Sequence, residues 1–176
     1  MTADTQRLFF SLWPDDEVRR HISATTQAAV AAAGGRPIPP VHYHITLAFL
    51  GSVPRDQLAQ IVTAARTVRC RSFSVKLDRT GYWPRSQVAW LKPSSCPSEL
   101  ARLVDDLWTA LAPFGLVPDS RSYKPHVSLV RRVPGGLGSL LAEPVVWPVD
   151  EFVLIASETQ PPGSVYTLLE HFPAGN

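Results

Sequence analysis

The sequence predicts an α+β protein with two pseudo-symmetric lobes, in which largely antiparallel sheets and flanking helices surround a central cleft. A repeated layout is the first observation behind this prediction. An apolar strand, a proline, a helix and a histidine-containing strand follow one another over Arg7–Leu50, and the same series recurs over Val88–Val130. Strands mixed with three helical patterns and with hairpins are the second observation. No linker separates the halves, so we expect a single domain over residues 1–176.

The first half begins with a strand. Arg7–Trp13 is a compact apolar run, which predicts a buried strand. Pro14 ends it, and the acidic residues 15–17 favour the start of a helix because they complement the positive end of the helix dipole. We expect this helix to end at Gly34 and Gly35, before a proline-rich connector that leads to the first histidine strand.

Two more helices and two hairpins follow. Apolar residues at helical spacing after Pro54 predict the second helix. A stripe from Leu100 to Phe114, closed by Gly115, predicts the third helix. The expected hairpins pair residues 73–78 with 88–91, and residues 151–155 with 165–169 around Pro161–Gly163.

Composition bounds the class of protein. Hydrophobic residues make up 45% and charged residues 18%, as in soluble globular proteins. No apolar run approaches the roughly 20 residues that cross a bilayer, and the N-terminus lacks signal-peptide order, so we expect a cytoplasmic protein without membrane contact. A net charge of +2 suits a phosphate-bearing ligand but is too small for a protein that coats DNA. Cys70 and Cys96 are expected to be reduced thiols, and the chain to be a monomer.

Two short matching segments carry the chemistry. His44 and His126 are each followed by an aliphatic residue, a hydroxyl residue and leucine, so Thr46 and Ser128 lie two positions after a histidine. Side chains two positions apart share one face of a strand. One such segment is weak evidence, but two copies at equivalent places in a repeated layout favour one shared cleft.

Two facing histidines suit acid and base chemistry at phosphorus. The unperturbed pKa of histidine is about 6.5, so a neutral ring can take a proton from water while a charged ring protonates a leaving oxygen. Thr46 and Ser128 can donate to the non-bridging oxygens, and Arg131 or Lys124 can offset the negative charge. Catalytic zinc needs three protein ligands, so we expect no metal and no cofactor.

For the other histidines we expect no catalytic role. We expect His21 and His171 to be solvated. His42 shares the parity of His44 and is expected to cap the strand, with a place at the cleft rim as the alternative.

These segments and their flanks resemble the two-histidine phosphoesterase superfamily, and within it the bacterial and archaeal RNA 2′,3′-cyclic phosphodiesterases once named 2′-5′ RNA ligases. The similarity runs nearly end to end. Arg7–Leu12 resembles the opening strand, His44–Gly51 the first signature, Tyr123–Arg131 the second, and Ser157–Tyr166 the closing segment.

The resemblance implies a bilobal α+β fold and metal-independent opening of a terminal 2′,3′-cyclic phosphate on RNA, which leaves a 2′-phosphate. By that similarity His44 is the general acid that protonates the departing 3′ oxygen, and His126 is the general base that activates water. Ser128 replaces the threonine that is commoner in the family, and it keeps the hydroxyl. The resemblance also implies that Thr46, Ser128 and Arg131 bind the phosphate and that Phe49 stacks on the terminal base.

Three alternatives remain open at this point. The first is reversible 2′-5′ joining, the second is hydrolysis of a small cyclic nucleotide, and the third is a nucleotide- or RNA-binding module without turnover. Phe49 and Arg131 raise a separate question, because each lies five residues after its histidine, which is the wrong parity for an ideal strand. Either the strands twist or bulge there, or the side chains reach past the rim; for Phe49, core packing is a further alternative.

Overall fold

The computed structural model describes residues 4–135, 141–161 and 163–175, without the side chains of Leu141 and Ala142. It confirms an α+β protein with a large antiparallel sheet. Pro162, in the expected turn of the terminal hairpin, lies outside the described residues. The helices are α1 (Asp16–Ala33), α2 (Leu58–Ala65) and α3 (Ser98–Leu111), and the strands are β1 (Thr5–Leu12), β2 (Arg36–Pro37), β3 (Ile45–Pro54), β4 (Phe73–Trp83), β5 (Val88–Lys92), β6 (Val127–Arg131), β7 (Leu141–Val149), β8 (Glu151–Gln160) and β9 (Gly163–Pro173).

One sheet joins the two lobes. Its strand order is β7-β4-β5-β6-β3-β1-β8-β9, and β2 pairs with β6 away from this path. The histidine strands β3 and β6 are therefore the central neighbours, paired through Ile45 and Val127. The series β1-α1-β3 in one lobe corresponds to β5-α3-β6 in the other, which confirms the repeated layout seen in the sequence.

The first helix begins and ends as its sequence predicts. The Asp15 side chain accepts a hydrogen bond of 2.8 Å from the backbone N–H of Val18, so Asp15 is the N-cap. Gly34 ends the helix with a φ of 67°, a left-handed conformation that glycine adopts without steric cost. Both boundaries follow from local chemistry.

The helices cross between the lobes. Although α1 follows β1, it lies against β5, β6 and β7 of the other lobe, and α3 lies against β3. The main core fills the space between helices and sheet, where Ile22 of α1 and Leu107 of α3 are fully buried. Because α1 and α3 each bury an apolar face on strands of the opposite lobe, the two lobes stabilise one another. Within the described chain, no helix is long and apolar enough to cross a membrane.

Strand β7 is absent from the sequence prediction. Its sequence contains Pro144 and Pro148, and proline disfavours a strand because it donates no ladder hydrogen bond. The strand lies at the edge of the sheet beside β4, where the missing donors can be tolerated. Its inward-facing residues Val145, Trp147 and Val149 are buried and complete the core of that lobe.

Candidate active site

The polar residues of the two histidine strands lie on matching faces. His44 and Thr46 are partly exposed, as are His126 and Ser128. The alternate residues point into the main core, so the sheet presents two imidazoles and two hydroxyls on its opposite face. These buried alternate residues are Ile45, Leu47, Val127 and Leu129.

Each histidine is held by a backbone carbonyl two residues earlier. The Nδ1 of His44 lies 2.7 Å from the carbonyl oxygen of His42, and the Nδ1 of His126 lies 2.9 Å from that of Lys124. A carbonyl oxygen only accepts, so Nδ1 carries the hydrogen in each ring. The neutral rings therefore keep a lone pair on Nε2, the nitrogen that can exchange protons with a ligand.

The aromatic surroundings of the two rings differ. Trp13 stacks on His44 with centroids 5.5 Å apart and planes at 13°, Phe9 lies 5.1 Å away, and Tyr166 presents its edge at 5.6 Å. His126 instead has the edge of Trp83 at 4.5 Å. His44 is thus enclosed by three rings on one wall of the cleft.

Burial lowers the pKa of both histidines. Loss of water disfavours the charged ring and lowers the pKa of His44 to about 4; the carbonyl bond opposes this, and the charges of His126 and Arg131 reinforce it. Burial also lowers the pKa of His126, with smaller contributions in the same direction from Arg131 and Lys92. The two rings and Arg131 are therefore close enough to interact, and both imidazoles are neutral near pH 7 in the unliganded protein.

A β-bulge in each strand answers the question of parity. In β3, Thr46 pairs with Ser11 and Ala48 pairs with Phe10, which leaves Leu47 as an extra residue. The extra residue shifts the alternation by one position, so Phe49 lies on the histidine face. Its side chain is 47% exposed, and core packing of Phe49 is therefore wrong. The guanidinium carbon of Arg7 lies 4.7 Å from the ring centroid.

The same bulge occurs in β6. Ser128 pairs with Trp90 and Val130 pairs with Ala89, which leaves Leu129 as the extra residue. Arg131 is accordingly exposed on the face of His126. Of the two cations proposed from the sequence, Lys124 has an exposed side chain and supplies its carbonyl to His126.

Several site residues were not assigned from the sequence. Trp13 and Trp83 are two of them. Tyr123 is a third: its hydroxyl donates a 3.0 Å hydrogen bond to the carbonyl of Thr46 and so connects the segment before β6 with β3. Burial raises the pKa of Tyr123, which keeps this hydroxyl protonated as a donor. Tyr123 could have been identified from the sequence as an aromatic residue beside a histidine segment. Nothing in the local sequence around Trp13 or Trp83 indicates that they belong to the site.

The remaining histidines have structural contacts. His42 lies edge-to-face with Tyr166 at 4.9 Å, at the rim beside His44, while its carbonyl holds the His44 ring. His21 is exposed on α1, and Nδ1 of His171 lies 3.1 Å from the carboxylate of Glu151 at the surface. Among residues with described positions, no three His, Cys, Asp or Glu side chains are grouped to hold a metal ion.

Comparison with known proteins identifies the same architecture. The family model for LigT-like phosphoesterases matches residues 12–90. The RNA 2′,3′-cyclic phosphodiesterase of Escherichia coli is 33% identical over 129 residues, which is 73% of each chain, and that of Thermus thermophilus is 30% identical over 177 residues, 94% of this chain and 89% of the other. The crystal structure of E. coli LigT complexed with 3′-AMP matches with a TM-score of 0.90 at 29% identity, covering 98% of this chain and 100% of that one.

Proposed function

We propose that this chain, which belongs to the RNA 2′,3′-cyclic phosphodiesterase family, hydrolyses a terminal 2′,3′-cyclic phosphate on RNA to a 2′-phosphate. One observation carries the proposal. His44 and His126 flank the pairing point of β3 and β6, and each uses Nδ1 for a backbone carbonyl so that Nε2 is left for chemistry. This arrangement suits displacement at a phosphorus atom between the rings.

The proposed reaction moves two protons. Nε2 of neutral His126 takes a proton from water as the water oxygen attacks phosphorus. On the opposite side, Nε2 of protonated His44 gives its proton to the 3′ oxygen as the bond from phosphorus to that oxygen breaks. The products are a 2′-phosphate and a free 3′ hydroxyl, and proton exchange with solvent returns both rings to their starting states.

Substrate binding supplies the proton state that His44 needs. With a pKa of about 4 in the unliganded protein, His44 is neutral near pH 7. The negative charge of the cyclic phosphate favours an adjacent imidazolium and raises that pKa. The face of Trp13, parallel to the ring, also favours a cation. Protonation of His44 is thereby coupled to the arrival of the phosphate.

The hydroxyl and guanidinium groups act on the phosphate oxygens. Thr46 and Ser128 lie two residues beyond the histidines on the same faces, where their hydroxyls can donate to the non-bridging oxygens. The planar fork of Arg131 suits two of these oxygens at once. With Arg7 on one face of Phe49, the other face of that exposed ring can stack on the terminal base.

A product assay tests the proposal. RNA ending in a 2′,3′-cyclic phosphate is incubated with the protein in EDTA, and the new end is identified by chromatography against 2′- and 3′-phosphate standards. We expect a 2′-phosphate from the wild-type protein and its loss in His44→Ala and His126→Ala, while His21→Ala, at an exposed site on α1, keeps the activity. A 3′-phosphate product, or turnover only with added metal, would contradict the mechanism.

The complete site lies within one chain. Both histidines, both hydroxyls and Arg131 come from β3, β6 and the residues before them, so we propose that the monomer is the active form. Size-exclusion chromatography with light scattering, at the concentration of the activity assay, measures the molar mass. Activity that rises steeply with concentration alongside dimer formation would refute this.

A further inference from the structure

A second arginine lies beside Arg131. In the pairing of β2 with β6, Arg36 is opposite Arg131 and Pro37 is opposite Val130. Paired residues of antiparallel strands project from the same face of a sheet, so the two guanidinium groups share the face of the cleft. Both side chains are exposed, and neither forms an ion pair with a carboxylate in the part of the chain that the structure describes.

The glycine pair before Arg36 makes this placement possible. Gly34 turns the chain out of α1, and a Cβ on Gly35 would lie 2.4 Å from the carbonyl oxygen of Arg131. Only glycine permits so close an approach of two backbones. Beyond the arginine, the N–H of Ile38 donates a 2.8 Å hydrogen bond to the carbonyl of Leu129, which fixes the register.

Strand β2 occupies an edge of β6 that faces the cleft. Strand β3 pairs with β6 at Ile45 and Val127, and β2 pairs with β6 farther along, at residues 130 and 131. The Arg36 side chain reaches the opposite lobe, because its Nη2 lies 3.3 Å from the position of a Cβ on Gly163 at the start of β9. The guanidinium group of Arg36 therefore spans one end of the cleft.

Two unpaired cations on adjacent positions repel one another, and an anion relieves that repulsion. The charge of Arg131 lowers the pKa of both histidines, so Arg131 lies near the position of the reacting phosphate. Arg36 lies one strand over from Arg131, on the edge of β6 that also pairs with β3, and its side chain reaches the start of β9. The substrate of the proposed reaction carries a second phosphate next to the reacting one: the linkage that joins the terminal nucleotide to the rest of the RNA.

We propose that Arg36 binds the phosphodiester on the 5′ side of the terminal nucleotide, so that this protein prefers the end of an RNA chain to a 2′,3′-cyclic mononucleotide. The inference rests on the proposed function for the identity of the substrate. A cyclic mononucleotide has a 5′ hydroxyl at that position and offers Arg36 no charge. The guanidinium fork suits a phosphate, whereas a lysine at the same place would act only as a point charge.

The test compares two substrates that differ by this one phosphate. A dinucleotide with a terminal 2′,3′-cyclic phosphate and the cyclic mononucleotide of the same base are assayed with Arg36→Gln, Arg36→Lys and a control, Arg69→Gln, which removes an exposed charge after α2. We expect Arg36→Gln to lower kcat/KM for the dinucleotide about tenfold, mainly through KM, as for a lost hydrogen bond to a charged group. The mononucleotide rate should change by less than about twofold, and Arg36→Lys should recover part of the loss.

Salt dependence gives a second readout. Removing one phosphate contact should reduce the slope of log(kcat/KM) against log salt concentration by about 0.7 for the dinucleotide. Circular dichroism and a thermal melt check that the variants are folded. Equal losses on both substrates, or no loss on either, would overturn the assignment of Arg36 to the 5′ linkage.

A binding measurement separates this inference from the function beneath it. In the His44→Ala background, calorimetry compares a dinucleotide ending in a 2′-phosphate with the corresponding nucleoside 2′-monophosphate. Weaker dinucleotide binding in Arg36→Gln, with unchanged mononucleotide binding, supports the inference even if the wild-type protein fails to turn over cyclic phosphates. The same affinity of both proteins for the dinucleotide refutes it.

Discussion

Leu47 and Leu129 are the extra residues of two β-bulges that occur at the same step after the two histidines. Each bulge shifts the alternation of its strand after the hydroxyl residue. Phe49 and Arg131, which an ideal strand would point into the core, therefore join His44 and His126 on the cleft face. The two histidine strands therefore share the bulge as well as the order of their residues.

The exposure of Phe49 predicts a substitution that affects substrate binding and leaves the fold intact. Phe49→Leu should raise KM for RNA ends about tenfold, because stacking of one base on an aromatic ring contributes about 1–3 kcal/mol. Stability should change by less than about 0.5 kcal/mol, since Phe49 is 47% exposed and leucine keeps an apolar side chain at this position. The control, Phe73→Leu, alters a partly buried ring of β4 and should lower the melting temperature without raising KM. An unchanged KM in Phe49→Leu contradicts a stacking role.

The parallel stacking of Trp13 on His44 predicts a change in pH dependence. In the complex, Trp13→Leu removes the π face that favours the imidazolium and should lower the pKa of His44. The alkaline limb of the kcat profile, where the general acid loses its proton, then moves to lower pH by up to about one unit, and Trp13→Phe moves it less.

The titratable and charged side chains of the protein that face His44 all oppose its protonation when they are charged. They come from His42 before β3 and from His126 and Arg131 of the other lobe, and they are unchanged in the Trp13 variants. Trp108→Leu on α3 serves as the control for a lost indole, with an expected fall in stability and an unshifted profile. An alkaline limb that stays in place in Trp13→Leu would show that the stacking does not tune His44.

Burial of His44 makes stability depend on pH. In the unfolded chain its pKa is 6.5, and in the folded protein it is about 4. As pH falls from about 6.5 to about 4, the unfolded state binds a proton that the folded state does not, so this contribution destabilises the fold by up to roughly 3 kcal/mol. Above pH 6.5 and below pH 4 it is constant.

Substitution of His44 isolates this contribution. Urea unfolding at about pH 7, 5.5 and 4.5 should show a smaller loss of unfolding free energy in His44→Gln than in the wild-type protein. His21→Gln, at an exposed position on α1, should follow the wild-type curve. Parallel curves for His44→Gln and the wild type would mean that the imidazole is hydrated enough to keep an ordinary pKa.

The close approach at Gly35 predicts a local disruption of β2. Gly35→Ala places a Cβ against the carbonyl oxygen of Arg131, so β2 must move away from β6, at a cost of about 1–3 kcal/mol in unfolding free energy. A Cβ on Gly135 meets nothing within 4 Å, so Gly135→Ala serves as the matched control and should leave stability nearly unchanged. Urea unfolding of the two variants distinguishes them, and equal stabilities would show that β2 yields without cost.

Most elements could be predicted because their signals are local, but the predicted pairing of residues 73–78 with 88–91 is wrong: residues 73–77 pair with β7, and β5 pairs with residues 79–83. The N-cap Asp15, the terminal Gly34 and the apolar stripe of α3 act within a few residues of the structure they specify. The strand β7 was missed because its two prolines argue against a strand, and only its place at the sheet edge makes them acceptable.

The sequence by itself determined that His44 and Thr46, and likewise His126 and Ser128, share a strand face, because a two-residue period is set by the local backbone. Only the tertiary structure decided what surrounds them. The bulges depend on pairing with β1 and β5. The packing of Trp13 and Tyr166 around His44 depends on the alignment of β3, β1, β8 and β9, and the approach of Arg36 to Arg131 depends on the pairing of β2 with β6. Register between strands far apart in the chain is selected by packing of the whole sheet, which a local pattern does not encode.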